Sequence, residues 1–102
     1  MSLFASVITQ ELDLSGSKVV IRKLSHLNLL AVGPLFKNDV GKWSREMVRL
    51  GVVTVDGAAL TDEQFADMTD EAVDEIGMAV MKLTKPSLFT KKEEAAVEQK
   101  ND

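Results

Sequence analysis

The chain has 102 residues, of which 45% are hydrophobic and 27% are charged, and its formal net charge at pH 7 is −4. These values are typical of a single soluble domain, and no apolar run reaches the length of about 18 residues that a membrane span requires. The sequence has no cysteine, which excludes disulfides, thiolate zinc sites and thiol nucleophiles and fits a reducing cytosol.

The charges are distributed unevenly along the chain. Residues 18–49 hold seven basic and two acidic side chains, a net of +5, whereas residues 50–81 hold eight acidic side chains and no Lys or Arg. This asymmetry is the strongest signal in the sequence. It indicates an electrostatic contact, either within the molecule or with a partner.

The first predicted element is a β-hairpin. Residues 6–24 contain two β-favouring runs on either side of Ser15-Gly16-Ser17, a composition typical of a turn. An isolated hairpin is marginally stable in water, so we expect helices to pack against it.

Two helices are predicted next. Ser25 is placed to cap the first, whose apolar stripe extends to Gly33-Pro34. The second can begin at Pro34 or after Asn38, and the later start is favoured. Its apolar residues recur at spacings of four and three, which places them on one helical face. These residues are Phe36, Val40, Trp43, Met47 and Leu50. We expect Gly51 to end this helix in the left-handed conformation.

A short strand and two capped helices complete the chain. Residues 52–55 form a β-type run that ends at a turn signal, Asp56-Gly57. Thr61 with Gln64 fits a capping box, and Thr69 is placed to cap the last helix, which Pro86 ends. The predicted fold is mainly α (α+β), with three to four helices and a short N-terminal hairpin. We expect one domain over residues 1–89 and a polar, flexible tail over residues 90–102.

The Asp-Gly turn invites comparison with a calcium-binding loop. With Gly57 as the sixth loop residue, Asp56 and Glu63 fall at ligand positions five and twelve. Positions one and three, where carboxylates are needed, hold Val52 and Thr54. The segment is therefore predicted to be a turn followed by a helix cap, without a metal.

No catalytic set is apparent. His26 is the single histidine, and its spacing from Ser25 and Asp39 does not match a catalytic triad. The glycines are scattered and form no phosphate-binding loop. We therefore predict no enzyme activity and no cofactor.

The charge asymmetry leaves three interpretations open. The acidic and basic segments can pack together within one molecule, or the acidic face of one copy can meet the basic face of the next, which gives a head-to-tail ring or spiral. The basic segment can also bind nucleic acid, although the acidic segment and the net charge oppose it. The candidate residues for self-association or partner binding are Lys42, Arg45, Arg49, Asp70, Asp74, Leu88 and Phe89.

The order of these motifs resembles the tail assembly chaperones of long-tailed, siphovirus-type bacteriophages. The resemblance covers about residues 19–89. It is carried by "VVIRKLS" (19–25), "REMVRLGVV" (45–53), "TVDGAAL" (54–60), "TDEQFADM" (61–68) and "MKLTKPSLF" (81–89).

The resemblance implies a helper in tail morphogenesis that acts in the host bacterial cytoplasm and is absent from the mature virion. Such chaperones bind the tape measure protein, recruit tail tube subunits, and are extended in a longer product by ribosomal frameshifting. The alternatives are a small nucleic-acid-binding regulatory protein and a minor structural tail subunit.

Overall fold

The computed structural model describes residues 3–87, in which four α-helices accompany a three-stranded antiparallel sheet. A 3-10 turn, Ala5–Val7, precedes the first strand. The strands are β1 (Thr9–Leu14), β2 (Ser17–Arg22) and β3 (Val52–Val55). The helices are α1 (His26–Asn38), α2 (Val40–Gly51), α3 (Asp62–Ala66) and α4 (Asp70–Thr84). This architecture confirms the predicted α+β class, while the predicted boundary at residue 89 lies outside the described residues.

The hairpin is confirmed, but it is part of a larger sheet. Ser15 and Gly16 have φ angles of 50° and 85°, as a tight turn between β1 and β2 requires. The third strand, β3, pairs antiparallel with β2, so the sheet order is β1-β2-β3. Asp56 and Gly57 repeat the turn geometry after β3, with φ angles of 52° and 85°.

The first predicted helix is longer than its sequence indicates. α1 continues through Gly33 and Pro34, so neither residue ends it. Asp39, rather than Asn38, separates α1 from α2. Its backbone N–H donates to the Leu35 carbonyl at 2.8 Å, and its carboxylate accepts from the Lys42 N–H at 3.0 Å. One residue thus ends one helix and caps the next.

The buried face of α2 only partly matches the predicted stripe. Trp43 and Met47 are buried as expected, but Phe36 and Val40 are exposed. Phe36 belongs to α1, and its ring meets the Trp43 ring edge to face, with the centroids 5.0 Å apart. The buried residues of α2 are Trp43, Ser44, Met47, Val48 and Gly51.

Gly51 has a different role from the predicted one. It is the last residue of α2 and is not among the positive-φ glycines, so it is not a left-handed cap. A Cβ built on Gly51 would lie 2.6 Å from Val80 Cγ2. Glycine is therefore needed because α4 packs directly against the backbone of α2.

The core lies between the sheet and the helix pair α2 and α4. Thr84 is buried at the end of α4, where its hydroxyl accepts from the Leu24 N–H at 3.0 Å and donates to the Val80 carbonyl at 2.7 Å. The predicted capping box of Thr61 and the cap of Thr69 are both present. The core residues are Val19, Ile21, Leu24, Val32, Trp43, Met47, Val48, Ile76 and Val80.

Candidate functional site: an exposed apolar helix face and a charged cleft

The outer face of α1 is apolar and exposed. Leu27 and Leu30 are 76% and 60% exposed, and Ala31 and Pro34 are exposed as well. Positions 27, 30, 31 and 34 follow the spacing of one helical face. We call these four residues the α1 stripe. A contiguous apolar surface of this kind marks an interaction site more often than scattered exposed residues do.

The opposite side of α1 holds the helix in the fold. Val32 is buried, and Leu29 and Leu35 are half-buried against the core. Apolar residues therefore occupy two faces of one helix, and α2 covers one of them. The apolar stripe that the sequence predicts for this helix, formed by Leu27, Leu29, Leu30 and Val32, is therefore divided between two faces. The occurrence of apolar residues on both faces of the predicted helix was the sequence signal that could have distinguished its exposed residues from its buried ones.

The N-terminal segment carries further exposed apolar side chains. Leu3 and Phe4 are exposed and line a cleft of about 570 Å³ together with His26, Asn28 and Leu29 at the start of α1. His26 is exposed at the edge of this cleft.

The basic candidates lie on the exposed side of α2. Lys42, Arg45 and Arg49 are all exposed. The Arg45 guanidinium lies 5.8 Å from the centroid of the Phe65 ring, a cation–π contact. Arg49 is paired with Glu46 one turn earlier, with Nε 2.7 Å from Oε2.

The structure brings part of the acidic segment to these arginines. Arg45 and Arg49 line a cleft of about 580 Å³ together with Asp62 and Asp70. Among the described residues, Arg49 is ion-paired with Glu46, and neither Asp62 nor Asp70 forms an ion pair with Arg45 or Arg49. The attraction in the cleft therefore acts across solvent, where salt screens it. A nucleic-acid phosphate placed at the arginines would meet the two carboxylates.

The other acidic candidate lies elsewhere. Asp74 lines a groove of about 610 Å³ between β1 and α4, which we call the β1–α4 groove. Its acidic neighbours are Glu71 and Glu75. The predicted site residues are thus divided between two surfaces: Arg45, Arg49 and Asp70 share the cleft, and Asp74 faces the groove. Lys42 lines neither of them, and Leu88 and Phe89 lie outside the described residues.

The Asp-Gly turn has a structural explanation. The Asp56 carboxylate accepts a hydrogen bond from the Lys18 N–H at 2.9 Å, which fixes the turn after β3 to β2. Within residues 3–87, no group of three or more His, Cys, Asp or Glu side chains is placed to hold a metal ion. Helices of the described part of the chain are too short or too polar to cross a membrane. No family model, curated protein or solved structure matches this chain.

Proposed function

We propose that this protein is a non-catalytic tail assembly chaperone of a long-tailed bacteriophage. In this role it binds the tape measure protein and recruits tail tube subunits in the host bacterial cytoplasm, and it is left out of the mature virion. The observation that carries the proposal is the exposed α1 stripe. The motif resemblance over residues 19–89 supports the choice of client.

The α1 stripe suits a helical client. Its spacing of three and four residues is the one that lets two helices pack with their side chains interleaved. A long, rod-like protein with apolar helical faces presents the same periodicity repeatedly. Binding to this stripe would cover the apolar surface of such a client and keep it from aggregating.

The expected strength of one contact explains why many copies would act together. Complete burial of a leucine stabilises a complex by about 1.5–3 kcal/mol, so Leu27 and Leu30 supply a few kcal/mol at most. Association costs several kcal/mol in lost freedom of motion. One copy would therefore bind weakly, whereas several neighbouring copies on one client would bind tightly through avidity.

Self-association is the second part of the proposal. A head-to-tail contact between the basic face of α2 and an acidic face of the next copy would line up the α1 stripes along a rod. Because the participating side chains are exposed, the assembly should dissociate as salt rises. Light scattering over a salt series measures this, and a monomer at low salt and high protein concentration would contradict it.

Client binding is tested by co-expression with the product of the adjacent downstream gene, which the proposal requires to be a long coiled-coil protein. We expect the wild-type chain to retain that protein in a pull-down and to keep it soluble. Leu30→Asp should weaken retention by about tenfold or more, because it places a charge where the bound client would bury a leucine.

The matched control for this experiment is Val53→Asp. Val53 is an exposed apolar residue of β3, 41% accessible, and lies outside the α1 stripe. Its substitution should leave retention close to the wild-type value. Equal retention by both variants, or none by the wild-type chain, would refute the client-binding role of α1.

A further inference from the structure

The outer edge of β1 is not paired with another strand of the described chain. The sheet order is β1-β2-β3, so among residues 3–87 the strand β1 has a neighbour only on the β2 side. Such an edge presents a row of backbone N–H and C=O groups to which an extended chain can add. β1 contains no proline, and the register shift in this sheet lies between β2 and β3. Neither a proline nor a bulge therefore blocks this edge.

The register of the hairpin determines which backbone groups point outward. Pairs in an antiparallel ladder alternate between hydrogen-bonded and non-hydrogen-bonded. Asp13 lies opposite Lys18, whose backbone C=O accepts from the Asp56 N–H at 2.7 Å on the β3 side. Asp13 and Lys18 are therefore a non-hydrogen-bonded pair, and the backbone groups of Asp13 point away from β2. By the same alternation, Thr9 and Glu11 also present their N–H and C=O groups outward.

The β1–α4 groove lies beside this edge, on the side of the sheet that faces α4. Leu12 and Leu14 line it from β1, and Met78 and Ala79 line it from α4. None of the four is fully buried, and Met78 is 40% exposed. An added strand would lie about 4.8 Å from β1, and its alternate side chains would cover these apolar groups. The groove and the edge thus suit the same occupant, an extended segment with apolar residues at every second position.

The charges around the edge favour a basic occupant. Lys18 lies 3.7 Å from Glu11, and Lys82 lines the groove, so part of the negative charge is balanced within the molecule. Carboxylates are nevertheless in excess, and they would attract basic side chains on an added strand. The carboxylates on β1 and at the groove are Glu11, Asp13, Glu71, Asp74 and Glu75.

The same charges oppose a second copy of this chain as the occupant. Pairing of two β1 edges would bring the Glu11 and Asp13 carboxylates of both copies together, and like charges across a strand pair are destabilising. The basic strand of this chain is β2, which holds Lys18 and Arg22. It lies between β1 and β3 and has no open edge to offer.

We infer that the outer edge of β1 binds an extended, basic segment of another protein. The segment adds as a fourth strand, hydrogen-bonds to Thr9, Glu11 and Asp13, and covers the β1–α4 groove with alternate apolar side chains. The α1 stripe lies on a different helix, so this inference does not depend on the proposed chaperone function.

A synthetic peptide tests the inference on the full-length chain. The probe is KVKVKVK with acetylated and amidated ends, which places valine and lysine on opposite sides of an extended backbone. In an NMR titration we expect saturable shifts of the amide signals of Glu11 and Asp13 and of the Met78 methyl signal, while the amide signals of α3 stay in place. The matched peptide KKVVVKK has the same composition without the alternation and should bind about tenfold more weakly or less.

Methylated probes separate strand addition from charge attraction and leave the protein unchanged. Methylation of the lysine backbone nitrogens removes the hydrogen bonds of an antiparallel addition, and methylation of the valine backbone nitrogens removes those of a parallel one. We expect one of the two methylated peptides to lose binding, which also gives the strand direction. Equal binding by both methylated peptides and the unmodified probe, or by KKVVVKK, would overturn the inference, as would no shift with KVKVKVK.

Two variants locate the contact on the protein. Glu11→Pro removes an outward N–H that β2 does not use, whereas Glu11→Gln removes only the charge. Glu11→Pro should weaken peptide binding by about tenfold and Glu11→Gln by about threefold or less. Equal affinities of the two variants for KVKVKVK would contradict a backbone contact at this edge.

Hydrogen exchange of the free chain tests the other occupants. We expect the amides of Glu11 and Asp13 to exchange readily when no peptide is present. Protection that increases with protein concentration would identify a second copy on the edge, and protection at every concentration would identify another segment of this chain. Either result would overturn the assignment to another protein.

Discussion

The helices α1 and α2 are neighbours in the chain, and each carries an apolar stripe, yet the two stripes have opposite environments. On α2, Trp43 and Met47 are buried against the sheet and α4. On α1, Leu27 and Leu30 face outward. Helical periodicity predicts that a face is apolar, but it does not say what covers that face. The difference between the two helices therefore separates the core of this protein from its candidate binding surface.

The largest expected contrast comes from truncating one residue of each stripe. Met47→Ala should lower the free energy of unfolding by about 2–5 kcal/mol, because Met47 is fully buried and its loss leaves a cavity. Leu30→Ala should change it by no more than about 0.5 kcal/mol, because Leu30 is exposed and alanine favours a helix. Urea denaturation followed by circular dichroism measures both values.

The control for this pair of variants is to repeat the denaturation experiments at low protein concentration. A cost for Leu30→Ala that approaches the cost for Met47→Ala would mean that the α1 stripe is covered in solution. If that cost disappears on dilution, another copy of the chain provides the cover.

The next contrast concerns one glycine in each helix. Gly51→Ala should destabilise the protein by about 1–3 kcal/mol, because the added Cβ would overlap the stiff, fully buried Val80 side chain. Gly33→Ala should stabilise it by about 0.5–1 kcal/mol, because a Cβ at Gly33 meets nothing within 4 Å and alanine is the better helix former. Thermal unfolding of the two variants checks the opposite signs. A destabilising Gly33→Ala would indicate that the outer side of α1 is packed.

Features set by neighbouring residues could be predicted from the sequence. The hairpin turn at Ser15-Gly16 and the caps at Thr61 and Thr69 are confirmed because a few adjacent residues determine each of them. The role of Gly51 was predicted wrongly, because the contact that requires a glycine there is made by Val80, which is distant in the chain. The pairing of β3 with β2 depends on a similar long-range contact.

The candidate site was predicted less well than the fold for the same reason. The sequence identified the charged segments, but it could not indicate that Asp70 shares a cleft with Arg45 while Asp74 faces the β1–α4 groove. That division depends on which face of α4 lies towards α2 and which lies towards β1. The exposure of Leu27 and Leu30 likewise depends on which side of α1 meets α2.

The smallest expected difference in stability is between the N-terminal caps of α1 and α2. The Asp39 carboxylate accepts from the Lys42 N–H at 3.0 Å, and the Ser25 hydroxyl accepts from the Asn28 N–H at 3.2 Å. Asp39→Ala should lower the global stability by about 1 kcal/mol, because the first turn of α2 contains the buried Trp43 and cannot fray without opening the core.

Ser25→Ala should cost less globally, because the first turn of α1 carries the exposed Leu27 and can open locally. Hydrogen exchange distinguishes the two cases: the Asn28 amide should lose protection in Ser25→Ala while the core amides keep theirs, whereas Asp39→Ala should lower protection throughout. Asp39→Asn keeps an acceptor at the cap and should restore most of the stability. An equal global cost for both alanine variants would show that the start of α1 unfolds together with the core. The α1 stripe would then be a rigid surface, prepared for a client before binding.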